Sequence, residues 1–361
     1  MIKKRQPVFE VSYSQGTFPL VLSRVFGYLG FMQQGMFAAP QVKETLIGHT
    51  KTLAFLARAA AADKLAHAYL FVGPEHVGKM TAALDFASTL LHTATPATHP
   101  DFTLVERGRD AKTGKLHGTI VLEQIHALTG RLALGAFLTG YKICVIDGAQ
   151  LLTPEAANAL LKTLEEPRPK TILLLLATSD AEILPTIRSR CQVMRFGRVA
   201  TQEIAAQLAR SGTAKEKALL YARLSAGLPG KAISYAEDPK SLDALFSLRD
   251  TLLHFPELSV AERFATIEKR IPAKTSFQEA GDRAIAMLDL SAELIRDALL
   301  IAAGRSDAIT HIDARDSIAV WANAAGTKKL AAAAEEIAET RRLIDANVNP
   351  RTALERFVLS F

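Results

Sequence analysis

An α/β fold built on a parallel sheet, followed by an all-α C-terminal third, is what this 361-residue sequence predicts. Three observations carry that expectation. A short apolar run, Ala68 to Val72 (AYLFV), leads into GPEHVGKMT, Gly73 to Thr81, and then into the helix-forming stretch MTAALDFASTLL. Two further apolar runs, within YKICVID and TILLLLATSD, flank a segment with clear helix start and stop signals. Beyond residue 238, apolar residues recur at three- and four-residue spacing without long alternation.

The first element is a buried parallel strand, because a continuous apolar run rich in aromatic and branched residues leaves no polar face for solvent. The loop after this strand fits the phosphate-binding pattern G-x-x-x-x-G-K-[ST] at every fixed position but the last. In such a loop the glycines let backbone N–H groups wrap a polyphosphate, the lysine neutralises the terminal phosphates, and the hydroxyl holds Mg²⁺. Gly73, Gly78 and Lys79 are present, but Met80 stands where the hydroxyl belongs and Thr81 comes one position late. The next helix, with Leu84, Ala87, Leu90 and Leu91 on one face, aims its positive end at that loop.

The second informative region is YKICVIDGAQLLTPEAANALLKTLEEP, Tyr141 to Pro167. Asp147 stands at the C-terminal end of its strand, where α/β sheets place ligand chemistry, and is the candidate for orienting Mg²⁺ and its waters. Hydrolysing enzymes need a carboxylate beside it to polarise water, yet the next residue is Gly148. Thr153 suits the helix cap, Pro154 the first helical position, and Pro167 ends the helix; Leu160, Leu161 and Leu164 form its core face. Asn158, Lys162 and Glu165 fall on its other faces and read as ordinary solvated residues.

The run TILLLLATSD, Thr171 to Asp180, is another buried strand, whose Thr178 and Ser179 either approach a terminal phosphate or simply start a turn. ILPTIRSRCQVMRF then supplies a short helix, the cluster Arg188, Ser189, Arg190, Cys191, and a last strand through Phe196. An arginine pinned between helix and strand at a domain edge is placed to reach a phosphate across a subunit interface, although by residue type alone a surface ion pair is the commoner role. The insert Glu106 to Thr119 is rich in glycine and charge and predicts an exposed turn between two strands.

Composition bounds the function. The chain exceeds what one core usually supports, so two or three domains are expected. Its 43 basic and 37 acidic residues leave a modest formal charge of +6 without long runs, which permits DNA contact without arguing for it. Cys144 and Cys191 are the only cysteines, so a four-cysteine zinc site is excluded, no metal site is predicted, and a reducing, cytoplasmic setting fits. No stretch reaches the roughly 18 to 20 uninterrupted apolar residues of a membrane span. The basic and apolar N-terminus invites a reading as an export signal, but Arg24 and Gly27 break it. Residues 1–44 are expected to be a poorly ordered extension, with a true start at Met32 or Met36 left open.

The strings HAYLFVGPEHVGK, HPDF, IDGAQLL, NALLKTLEEP and LPTIRSRC, in this order, resemble the delta-prime-type subunits of bacterial DNA polymerase III, in the clamp-loader branch of the AAA+ ATPases. The resemblance covers about residues 45 to 235. It implies an AAA+ sheet domain over 45–197, a helical lid over 198–237 and an all-α collar over 238–361. It also implies that Arg190, matching the family's serine-arginine-cysteine motif, acts in trans at the ATP site of a neighbouring subunit. A lid arginine of active relatives falls on Gly230 here, with Lys231 beside it as a displaced substitute, and the zinc module of many relatives is missing from LHTATPATHPDF.

With the magnesium hydroxyl, the water-polarising Glu and the lid Arg all absent, the expectation is a non-hydrolysing stator. Gly73, Gly78, Lys79, Thr81 and Asp147 would form a degenerate pocket in which ATP or ADP is not required and binding without turnover stays open. The implied partners are gamma/tau motor and delta subunits in a hetero-pentameric ring, with the sliding clamp and primed DNA reached through the complex. The alternative is a self-sufficient motor-like ATPase in which Thr81 rescues magnesium binding. A nucleic-acid-binding module acting alone would call for a clustered basic stripe, which the sequence lacks.

Overall fold

The computed structural model describes residues 46–108, 117–137 and 140–360. The N-terminal extension and most of the 106–119 insert lie outside them. The described chain begins with helix α1 (Thr50–Ala61) and strand β1 (Ala68–Val72), then α2 (Lys79–Leu91), β2 (Phe102–Val105), α3 (Leu122–Ala133), β3 (Lys142–Asp147), α4 (Pro154–Glu165), β4 (Thr171–Ala177), α5 (Pro185–Arg188) and β5 (Gln192–Arg195). The strands form one sheet in the order β2-β3-β4-β1-β5, and every pairing is parallel.

All residues of β1 and β4 are buried, because helices cover both faces. The two-residue period of the strand divides them cleanly. Ala68, Leu70, Val72, Leu173, Leu175 and Ala177 point into a cluster closed by Ile125 and Leu128 of α3 and Leu160 and Leu164 of α4. Tyr69, Phe71, Ile172, Leu174 and Leu176 point the other way, onto Leu84, Ala87, Leu90 and Leu91 of α2 and Leu56 of α1. The expected face of α4 is therefore real, and its Thr153 cap accepts the Ala156 N–H with Pro154 in the first turn.

One expectation fails. The insert does not join two strands: beyond it a single bridge, Ile120 with Leu152, precedes helix α3. Capping explains the outcome, since the Gln124 side chain accepts the Val121 N–H and donates to the Glu106 carbonyl, so the segment closes onto a helix start.

Past the sheet, α6 (Thr201–Arg210), α7 (Lys215–Leu224) and α8 (Pro229–Glu237) pack around Ile204, Leu208, Ala218, Ala222 and Ala232, with Ile47 and Val199 completing the cluster. The remaining helices are α9 (Pro239–Leu253), α10 (Val260–Arg270), α11 (Phe277–Ala302), α12 (Arg315–Asp345, broken at Gly326 where φ is 72°) and α13 (Pro350–Phe357). They enclose a separate core that includes Leu288, Leu294, Ile318, Trp321, Leu354 and Phe357. Two buried charged groups in this part find partners. Arg263 donates to the carbonyls of Phe255 and Val358, and the Asp297 carboxylate accepts the N–H groups of Thr310 and His311. No described helix is long and apolar enough to cross a membrane. The architecture is a parallel α/β sheet domain joined to a helical C-terminal part.

Candidate functional site

The P-loop occupies the turn between β1 and α2, at the carboxyl ends of the parallel strands. Its glycines are fixed by sterics. A Cβ on Gly73 would sit 2.2 Å from the Phe196 carbonyl oxygen, and Gly78 holds φ at 108°, a left-handed value that side chains resist. Gly73 thus lets β5 pack against the loop and does not line the cavity beyond it. Gly78, Lys79, Thr81 and Asp147 do converge there, around about 370 Å³ shared with Met80, Glu75 and the α8 residues Pro229, Gly230 and Ile233. An adjoining cavity of about 240 Å³ adds Arg107, Gly148 and Thr178 to the same Glu75, Lys79 and Asp147.

Lys79 does not point openly at a phosphate position. Its Nζ donates to the carbonyls of Gly73 at 2.6 Å and Pro74 at 2.8 Å, two of the three bonds an ammonium can make. Burial lowers its pKa, with Asp147 and Glu75 pulling back the other way. Asp147 is shifted upward, first by burial and against the pull of Lys79. Glu75 went unnoticed in the sequence because it occupies a variable position of the motif. It brings a carboxylate into the cradle, where it opposes phosphate. With Glu75, Glu106 and Asp147 against Lys79 and Arg107, the smaller cavity carries more acid than base.

Of the three departures from the expected motif pattern, the backbone fixes the two at Gly148 and Gly230. Met80 packs against the sheet core and offers only a thioether. Gly148 has φ 81°, and a Cβ there would lie 3.1 Å from Leu151 Cδ1, so a catalytic Glu would strain the turn. The Gly230 N–H donates to the His76 carbonyl at 2.8 Å, and a Cβ at 230 would lie 3.0 Å from the same oxygen. Helix α8 therefore rests directly on the loop, at the position that the resemblance assigns to a sensing arginine. These donors do not fit a magnesium triphosphate: the hydroxyl ligand is replaced, the lysine is engaged, and a carboxylate faces the cradle. Among the described residues, no group of three or more His, Cys, Asp or Glu is arranged to hold a metal ion. Thr178 donates to Glu182 and Ser179 accepts the Ala181 N–H, which is the behaviour of a turn.

Arg190 lies elsewhere. It stands just before β5, whose Gln192 is in register with Tyr69 near the start of β1, whereas the P-loop comes after Val72. From Gln192 to the Phe196 level is roughly 13 Å of strand. Arg190 thus sits at the amino-terminal edge of the sheet, opposite its own P-loop. Its Nη2 donates to Glu165 Oε1 at 2.7 Å and its Nη1 to the Thr186 carbonyl at 2.9 Å. Arg188, by contrast, is tied to Asp180, which also holds Arg195. Those arginines keep the Asp180 carboxyl below its ordinary range. Cys191 is an inert neighbour, its thiol pushed up to about 12 by burial.

Residues 48–200, which contain both edges, match the family described as DNA polymerase III, delta subunit. Over 142 residues the chain is 36% identical to DNA polymerase III subunit delta' of Pseudomonas aeruginosa, covering 35% of this chain and 42% of that relative. Over this segment the chain is delta-prime-like. A longer alignment, 26% identical over 318 residues, joins 82% of the delta-prime-like chain to 91% of subunit delta' of Bacillus subtilis. Subunit tau of the same organism is 30% identical over 225 residues, 60% of this chain and 38% of tau. The delta-prime-like chain thus matches less than half the length of the Pseudomonas relative.

Proposed function

We propose that this chain is the stationary, non-hydrolysing delta-prime subunit of a DNA polymerase III clamp loader, which places a sliding clamp on primed DNA for replication. In this reading Arg190 supplies an arginine finger to the ATP site of an adjacent gamma/tau motor subunit. Residues 45–197 form the nucleotide-binding-like domain, 198–237 the lid, and 238–361 the collar that joins gamma/tau and delta partners in a hetero-pentameric ring. The observation that carries the proposal is the separation of the two sites: the blunted P-loop and Arg190 occupy opposite edges of one sheet. Arginine suits the trans role because its charge is permanent and its fork engages phosphate oxygens in pairs. An ATP or ADP molecule in the degenerate pocket is not required.

Two observations favour a second reading, a self-sufficient ATPase. Thr81 lines the same cavity as Lys79 and Asp147, and the likeness to subunit tau extends over 225 residues. The purified chain, assayed for ATP hydrolysis with and without primed DNA, separates the two. Negligible turnover alone, together with a gain when the chain joins gamma/tau and delta subunits that Arg190→Ala removes, supports the stator. A robust solitary rate abolished by Lys79→Ala supports the motor and overturns the stator.

A further inference from the structure

We propose that Glu165 is the positioning residue for Arg190, holding its guanidinium in the orientation in which it meets a neighbour's phosphate. This inference rests on the trans role of Arg190. The arginine stands on a short connection between α5 and β5, its side chain is 35% exposed, and its long, rotatable stem would otherwise let the fork sweep a wide arc. Two contacts remove that freedom. The Glu165 carboxylate accepts from Nη2 and the Thr186 carbonyl accepts from Nη1, so both ends of the guanidinium plane are held by different helices.

The anchor itself is rigid. Glu165 closes α4, whose first turn is capped by Thr153 and whose Leu160 and Leu164 are buried in the sheet core. Neither contact exhausts the fork. A guanidinium has five N–H groups; two make these bonds, and the remaining Nη1 hydrogen has only a marginal 3.5 Å approach to Ser189 Oγ. The Nε–H and one Nη2 hydrogen remain for an incoming phosphate. Glu165 is thus a support, not a plug.

A pair this exposed contributes little to folding, so its effect belongs to geometry and not to stability. Misplacing a reacting group by a fraction of its contact distance costs turnover steeply.

The test is ATP turnover by the chain assembled with gamma/tau and delta subunits, comparing wild type, Glu165→Ala, Glu165→Gln and Arg190→Ala. Glu165→Ala is expected to lower kcat about tenfold with KM for ATP unchanged. Glu165→Gln retains an oxygen acceptor toward Nη2 and should recover most of the loss. In an Arg190→Ala background, Glu165→Ala should add nothing, because the two residues act as one unit. Thermal unfolding of each variant should match wild type. Turnover of Glu165→Ala equal to or above wild type overturns the inference, as does a Gln variant as slow as the Ala variant. If Arg190→Ala is impaired while Glu165→Ala is not, only the positioning role fails. If Arg190→Ala is itself unimpaired, the trans role fails with it.

Discussion

At the carboxyl ends of the strands, Lys79 gives two hydrogen bonds to its own loop and shares a cavity with Glu75 and Asp147. At the amino ends, Arg190 is held by Glu165 and Thr186 yet keeps donors in reserve on an open surface. Both residues are cations on the same sheet. Their settings separate a group spent on its own turn from one that keeps donors free at the surface. The glycines of a phosphate-binding motif can therefore be required by backbone packing, independent of any ligand.

The largest expected break in this comparison comes from Arg190→Ala, which should depress ATP turnover of the assembled loader on the order of 10³-fold. The same variant should leave the unfolding temperature of the isolated chain unchanged. Equal turnover would erase the distinction between the two edges.

Gly73→Ala tests the other edge through folding. A Cβ placed 2.2 Å from the Phe196 carbonyl forces β1 and β5 apart, and a loss of about 3 kcal/mol in urea unfolding is expected. Wild-type stability would mean that the turn yields freely and that the glycine is not a packing requirement. Lys79→Ala should be milder. Losing its bonds to Gly73 and Pro74 costs about 1–2 kcal/mol of stability. Loader turnover should be unaltered, and a large fall in it would return Lys79 to a catalytic role.

The smallest effect concerns pH. Desolvation lowers the pKa of the solvent-reached His76, with Lys231 and Lys79 adding to it against Glu75, and burial lowers that of the half-buried His49 from the ordinary 6.5. Below 6.5 the unfolded chain binds protons that the folded chain resists, so stability should fall as the solution is acidified from 6.5 toward the folded values. The protection factor of the Gly230 amide, whose N–H donates to the His76 carbonyl, should fall over that window once intrinsic exchange is corrected for pH, and His76→Gln should flatten the response. Insensitivity of that amide to acid would show that the lid contact does not depend on a neutral His76.

Much of the sheet was readable from residue type. The apolar runs that became β1 and β4 are buried on both faces, and the Thr153 cap and the Pro154 start of α4 fall where local chemistry requires. The 106–119 insert was misread because glycine and charge mark an exposed connection but do not say which element it enters; Gln124 and the Glu106 carbonyl settle that by capping α3. Glu75 was visible yet unweighted, since the motif leaves its position unspecified. Glu165 reads on a helix as one more solvated acid, and its partner lies 25 residues away.

The sequence alone determined the strand and helix periods, the phosphate-loop pattern with its missing hydroxyl, and the arginine cluster, because each is a local property of neighbouring side chains. Tertiary structure alone decided that Lys79 faces its own carbonyls, that α8 rests on His76 through Gly230, and that Arg190 stands beside Glu165 at the edge opposite its own P-loop. Those facts depend on strand register and helix docking, which bring together residues that no spacing along the chain relates.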